Sequence, residues 1–260
     1  MARACAYCGS SGRLTREHLF PGFLQKLMPT YDLNLSSARP GKVTGPTTIR
    51  DVCQRCNHER LSSLDAYGRA FCAENVRRFV RPGEQGSLTY DFHELARWIW
   101  KVHYNTARAD KGRPSLYRPL VPYILGDEDD APQPQTLLAG VIRSYKTTPA
   151  ERAKYRWAII FPRAVRAADV TLGPFQAHAQ LCRSLSLNSY IFWSILWKRS
   201  VPRAERRSAT ASLAKALDMS VLTAPGGTVS LNESSYPGFE VRAYLSKGRT
   251  MQAAFKHFRN

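Results

Sequence analysis

Apolar side chains return at a helical interval between residues 91 and 108: Phe92, Leu95, Ile99 and Val102 fall at i, i+3, i+7 and i+10. Such a stripe predicts an amphipathic helix, and Asp91 stands where its N-cap would be. A second helix is expected over 57–79, where Leu61, Leu64, Phe71 and Cys72 keep near-helical spacing and Gly68 is a weak point. A third, strongly basic, is expected over 203–217. Elsewhere the period changes. Residues 155–161 and 189–197 are β-branched and aromatic runs, and 239–245 alternates apolar with polar, so all three read as strands. Residues 3–52 are broken by Gly, Pro and Ser and read as short strands and loops. Two breaks punctuate the chain: Arg81-Pro82-Gly83-Glu84-Gln85-Gly86, and the acidic, proline-containing loop 126–134. The pattern predicts an α+β protein in two units, residues 1–80 and 81–260, with no internal repeat.

Composition adds that these units can build cores. The 260 residues are 43% hydrophobic and 11% aromatic, which excludes a disordered chain. No run approaches the ~18 apolar residues of a spanning helix. The first residues hold no apolar segment of a secretory signal. A cytoplasmic protein with no membrane partner is expected. In that reducing compartment the six cysteines point to metal binding or free thiols before disulfides. Charge then adds a partner. Thirty-eight Lys/Arg against 20 Asp/Glu give a net +18, and self-repulsion of that size is relieved by a polyanion, DNA or RNA. Residues 1–68 carry nine Lys/Arg and five Asp/Glu, net +4, whereas residues 69–260 carry 29 and 15, net +14. The longer part is therefore expected to supply most of the salt-dependent affinity.

Four cysteines form two pairs of one spacing, Cys5-Ala6-Tyr7-Cys8 and Cys53-Gln54-Arg55-Cys56. Two intervening residues let a tight turn aim both sulfurs at one ion, and two such turns complete a tetrahedral Zn²⁺ site. The 44 residues between the pairs exceed what a compact zinc ribbon needs, so a further element must be folded into that interval. Inside it lies Leu14-Thr15-Arg16-Glu17-His18-Leu19-Phe20-Pro21, an acidic residue beside a histidine at the end of an apolar strand. Neighbours on a strand face opposite sides, so Glu17 and His18 serve one site only if one meets an ion and the other a water beyond it. After the second pair come Asn57, His58 and Asp65, polar ligand candidates on the following helical turns.

The succession C-x2-C, E-H-L-F-P and V-C-x2-C-N-x3-L-S-x-L-D, over roughly residues 3–68, resembles the zinc-knuckle HNH endonucleases. The resemblance implies a small zinc-bound ββα-metal module followed by a larger, basic α+β domain. It implies structural Zn²⁺ on Cys5, Cys8, Cys53 and Cys56. It implies His18 as the group that activates water, and Glu17 and Asn57 as ligands of one catalytic divalent ion, Mg²⁺ or Mn²⁺. Hard carboxylate and amide oxygens suit such an ion and soft thiolates suit zinc, so the two metals sort by ligand type. The implied reaction is hydrolysis of nucleic-acid phosphodiester bonds, in double-stranded DNA in the first place, the ion stabilising the leaving group. One position departs from the family pattern. Its middle asparagine, four or five residues before the second cysteine pair, is replaced by Thr48 or Ile49. Thr48 offers a hydroxyl there, or Asn34 comes from elsewhere. His58 replaces Asn57 if the helix starts one residue later, and Asp65 is either a third ligand or a plain helix residue.

A competing reading is a zinc-stabilised nucleic-acid binder that does not cut, supported by the missing asparagine. The remaining chemistry-bearing residues have plain readings. His93 and His103 lie ten apart on one expected helix, wrong for a metal pair, and read as surface or satisfied polar contacts. Cys72 and Cys182 read as buried thiols, and His178 and His257 stand alone. The five tryptophans read mostly as core.

Overall fold

The computed structural model describes residues 4–27, 32–35, 48–81, 83–109, 113–142, 144–146, 148–155, 159–160 and 164–231. The strand expected at 239–245, His257 and Trp157 lie outside the described residues. The fold is α+β. Its first part holds β1 (Leu14–His18), α1 (Gly22–Leu27), β2 (Asp32–Leu35), β3 (Thr48–Cys53) and α2 (Leu61–Phe71), the last extended by wider π-type turns at Cys56–Arg60 and Cys72–Val76. There follow β4 (Gly86–Asp91), α3 (Phe92–Ala109), a 3₁₀ segment Pro114–Leu120, α4 (Val121–Leu125), β5 (Gln135–Val141), β6 (Tyr145–Lys146), α5 (Pro149–Tyr155) and β7 (Ile159–Ile160). The chain continues with β8 (Ala164–Asp169), β9 (Ala179–Leu187), β10 (Tyr190–Trp197), α6 (Arg203–Leu217), β11 (Ser220–Leu222) and β12 (Gly226–Leu231).

The six-stranded sheet runs in the order β11-β5-β10-β9-β8-β2, antiparallel except for the β2–β8 pair. Alternate residues divide its strands between two cores. Leu137, Ala139, Phe192 and Leu185 face α3 and the first part, while Leu138, Ile191, Trp193 and Trp197 face α6 with Leu213 and Leu217. A sheet covered on both faces needs apolar residues throughout, not an alternating strand. All eight residues of β10 are accordingly buried, as its continuous run of β-branched and aromatic residues foretells. The run at 155–161 behaves otherwise. Among its described residues, Tyr155 closes helix α5 and Ile159–Ile160 is a strand paired with β6.

The long interval between the cysteine pairs is occupied by α1 and β2, and β2 is the outermost strand of the large sheet, Asp32 to Leu35 in register with Ala164 to Ala167. The first part thus lends a strand to the second. The break expected at 81–86 is a turn, and one core runs across it, joining Leu19, Val52 and Leu64 to Leu95, Trp98 and Phe192.

Helix α3 is the axis of that core. Asp91 caps it as expected, its Oδ1 accepting the Glu94 N–H at 2.9 Å. The apolar stripe from Phe92 to Val102 is buried, but so is every residue from Trp98 to Ala107, polar ones included. The helix is enclosed by α2, the large sheet, and the 3₁₀–α4 segment, which all pack against it. The acidic loop straps this arrangement from outside: Arg60 pairs with Asp127, and Arg97 of α3 donates to the Glu128 carbonyl at 3.0 Å.

Gly68 is the weak point of α2 in sequence and its closest approach to α3 in space. A Cβ there would fall within contact distance of the Trp98 indole, with the helix backbone on its other side. On an exposed helix Gly→Ala gains about 1 kcal/mol. Here overpacking outweighs propensity, and Gly68→Ala should lose about 1–3 kcal/mol. Urea denaturation checks the sign: an unchanged or raised midpoint would mean that the two helices have room to separate.

Candidate functional site

The four cysteine sulfurs lie within 4.8 Å of one another, Cys8 and Cys53 at 3.6 Å. A tetrahedral zinc–thiolate site with bonds of ~2.3 Å sets its sulfurs roughly 3.8 Å apart, so the four groups fit Zn²⁺. The first knuckle closes through Gly9 N–H to Cys5 O and Cys5 N–H to Ser10 O, both 2.9 Å, with Gly9 at φ 73°. That left-handed conformation is one glycine adopts freely. Backbone N–H groups of Cys53 and Cys56 point at the sulfurs of Cys5 and Cys53, at 3.3 and 3.5 Å, as suits thiolate acceptors. Burial raises the Cys8 thiol, but hydrogen bonds from Ser10, Cys53 and Cys56 together bring it down to about 6. Burial pushes Cys5 and Cys56 up, and neighbouring thiols add to the rise at Cys56. Four thiolates so crowded repel one another, and a dication relieves that repulsion.

The knuckles hold a hairpin on a helix. β1 and β3 pair from Leu14↔Cys53 to His18↔Thr48, and Asp51 is the extra residue where Thr15 faces Val52 but Arg16 faces Arg50. His18 therefore ends its strand directly opposite Thr48. Its ring lies over Gly22, where an added Cβ would sit 3.5 Å from Nε2. Two residues back, Arg16 and Arg50 face each other, both exposed. Asn57, one residue beyond the last cysteine, donates its amide nitrogen to Thr15 Oγ1 and to the Arg16 carbonyl, both at 2.9 Å. It pins the helix to the bulged rung. His58 is exposed, so Asn57 is the residue that meets the hairpin. Asn34 lies on β2, in register with Arg166 of the large sheet and away from the hairpin.

Glu17 points the other way, into the core, where α3 receives it. Lys101 Nζ stands 2.9 Å from Glu17 Oε1 and 2.6 Å from Asp65 Oδ2, with the lysine side chain fully buried. Asn105 donates to Glu17 Oε1 at 3.1 Å and to the His18 carbonyl at 2.9 Å. Its own Oδ1 accepts from Tyr7 Oη and from Arg108, both at 2.6 Å. Arg108 continues to Asp51 at 2.7 Å and lies against the Tyr7 and Tyr104 rings. Burial raises the carboxyls of Asp65 and Asp51 above their ordinary range, opposed by Lys101 and Arg108 respectively. Burial likewise pushes the Tyr7 phenol well up. A single polar stripe of α3, Lys101, Asn105 and Arg108, thus runs from His18 to the first zinc knuckle. A cavity of about 650 Å³ opens at the knuckle end, lined among others by Cys8, Asp51, Arg108 and Arg118.

These placements bear on the divalent ion implied for Glu17 and Asn57. Among the described residues the four cysteines are the only group of three or more Cys, His, Asp or Glu side chains close enough to share a metal. Glu17 Oε1 is taken by an ammonium and an amide, and the Asn57 amide nitrogen by two oxygens of the hairpin. The donor set around Glu17 does not fit a further cation. The sequence reading missed Tyr7, Lys101, Asn105 and Arg108. The signal for the last three was the i, i+4, i+7 spacing of polar residues on α3, which reads as a solvated face. His103 also departs from expectation. It is fully buried, its ring nitrogens have no hydrogen-bond partner among the described residues, and burial beside Arg183 keeps it neutral.

Comparison of the chain with protein-family profiles, with curated proteins and with solved structures gave no match.

The purified chain should carry one Zn²⁺, and chelation or Cys53→Ser should remove it. At this size a loss of about 3 kcal/mol lowers the melting midpoint by roughly 6–12 °C. Elemental analysis beside thermal melts checks this. A metal-free protein with the same melting point would leave the cysteines as plain thiols.

Proposed function

We propose that the chain is a nucleic-acid phosphodiester hydrolase of the HNH kind, with His18 as the group that activates water. The observation that carries the reading is the placement of His18. It ends a bulged two-stranded hairpin that four zinc-binding cysteines and Asn57 clamp onto a helix, in the chain order of the motif. The net charge of +18 supports a polyanionic substrate.

In this reading a water beside His18 attacks phosphorus in line with the 3′ oxygen. The imidazole, a group suited to proton exchange near neutral pH, takes the water's proton. The phosphorus–oxygen bond opposite breaks, and the departing oxygen is protonated by solvent. Arg16 and Arg50, exposed two rungs from the His18–Thr48 pair, supply positive charge for the phosphate, and like charges facing across a hairpin are relieved by an anion between them. Thr48 offers its hydroxyl opposite His18. Double-stranded DNA is the substrate to try first. A Mg²⁺ or Mn²⁺ ion, where used, would add Lewis-acid stabilisation of the leaving oxygen. No step is assigned to it here, because Glu17 is already held by Lys101 and Asn105.

That pairing of Glu17 also favours a second reading, a zinc-stabilised binder that does not cut. One assay separates the two. Single- and double-stranded DNA and RNA are incubated with wild type and His18→Ala, with Mg²⁺, Mn²⁺ or EDTA, and the ends are mapped. Loss of a general base should slow cleavage by about 10²–10⁴-fold, with zinc content and nucleic-acid affinity unchanged. Undiminished cleavage by His18→Ala would remove His18 from the mechanism, and binding without cleavage by wild type would establish the binder.

A further inference from the structure

We propose that the ammonium of Lys101 takes the place of a divalent ion at Glu17, so that the cation of this site is a side chain of α3 and Glu17 is a positioning residue, not a metal ligand. The proposal deepens the hydrolase reading and rests on it for the meaning of the site, but its test involves no nucleic acid.

Geometry carries the argument first. Lys101 Nζ lies between Glu17 Oε1 and Asp65 Oδ2, at 2.9 and 2.6 Å. Two carboxylates that converge on one point from different elements repel unless a cation sits there. The chain supplies one covalently. The Glu17 oxygen that faces Lys101 also accepts from Asn105, so an incoming ion would have to break both contacts.

Burial carries it further. The Lys101 side chain is fully buried and that of Glu17 is 5% exposed. An ammonium displaced by a metal ion needs water or a second partner, because a buried unpaired charge costs several kcal/mol. Lys101 would be left with Asp65 as its one ion-pair partner among the described residues, and a metal ion beside those carboxylates would repel the ammonium. Its neighbours on α3, Trp98, Trp100, Val102 and Tyr104, are buried as well. A divalent ion would therefore meet the cost of a repelled, buried lysine in addition to its own dehydration.

The placement is also systematic. Lys101, Asn105 and Arg108 occupy i, i+4 and i+7 of one helix, and each takes a partner on the hairpin: Glu17, the Glu17 carboxylate with the His18 carbonyl, and Asp51. The stripe fixes the strand on both sides of His18 from beneath. Asp65, on the helix that faces His18, is fixed by the same lysine, and its Oδ1 is buried with no hydrogen-bond partner among the described residues. Glu17 is thereby used up in holding the catalytic strand, and the outer side of the hairpin is left to His18 and the arginines.

The experiment uses the full-length, zinc-loaded chain with Mn²⁺ followed by electron paramagnetic resonance. Wild type and Glu17→Gln should bind Mn²⁺ alike. Lys101→Met should bind it at least about tenfold more tightly, since the vacated position leaves two carboxylates without their unit positive charge. Lys101→Arg, which keeps the charge, should not. Stoichiometric Mn²⁺ on wild type that Glu17→Gln abolishes would overturn the proposal, as would a folded Lys101→Met chain with no gain. Where the variants fail to fold, wild type labelled at its lysine nitrogens decides by NMR. The exchange-protected Lys101 ammonium signal should stay in place through millimolar Mg²⁺, and its displacement would be the overturning result.

Discussion

A charged stripe sealed between a helix, a hairpin and a sheet is the constraint on which this structure turns. Lys101, Asn105 and Arg108 lie on a helix with no open side, and buried charges persist only with partners. The partners are Glu17, Asp65 and Asp51, all from the first sixty-five residues. Neither set can be desolvated alone. The hairpin without α3 would bury an uncompensated Glu17, and α3 without the hairpin would bury an unpaired lysine. That reciprocity, more than apolar area, dictates how the module and the rest of the chain meet. Apolar contacts alone would tolerate sliding, whereas paired charges with defined donors do not.

The cysteine cluster and this stripe address two different weaknesses. A two-stranded hairpin is marginal by itself, and so short a module has little core. The sulfurs join the end of the hairpin to the helix, and Asn57 joins the bulge. Neither device fixes the far end, where His18 stands. There the Asn105 bond to the His18 carbonyl and the β2 strand lent to the large sheet take over. The resulting polar path from Tyr7 beside the knuckle through Asn105 to Glu17 and His18 is continuous in hydrogen bonds. The spacing of the cysteine pairs acquires a physical meaning in this light. The long interval between them carries the strand that merges module and sheet.

Much of this was legible where a single local rule decides the outcome. The β10 run, the Asp91 cap, the basic helix α6 and the two cysteine pairs each follow from composition or spacing within a short window. What was not legible depends on burial set by distant elements. Residues 155–161 have strand composition, but among the described ones Tyr155 ends a helix while Ile159–Ile160 pair with β6. Lys101 and Asn105 look solvated because the helical period shows one apolar stripe and says nothing of a second surface packed against the polar one. Glu17 and Asn57 show the same limit at the candidate site. The motif names them by position along the chain, but which atoms they face is decided by α3 and by the bulge, neither of which the motif contains.

Charge distribution leads to a last step. The basic helix α6 packs on the face of the large sheet opposite α3 and the hairpin, with Arg203, Arg206 and Arg207 beside a cavity of about 430 Å³ there. Its share of the positive surplus is thus separated from His18 by the thickness of the sheet and α3. Coulombic attraction screened over ~10 Å at 0.1 M salt does not carry from one face to the other. Charge near His18 must come from close by, and exposed arginines of the first part stand there: Arg16 and Arg50 on the hairpin, and Arg69 over the Phe23 ring beside Gly22. In the expected division, where the longer part supplies most of the salt-dependent affinity, the charge of α6 would act on a face remote from His18. The longer part contributes to the candidate site through a buried lysine, and the module carries exposed arginines on its hairpin. The protein puts one cation where water is excluded, paired with two carboxylates, and others where water is present and an anion can reach them.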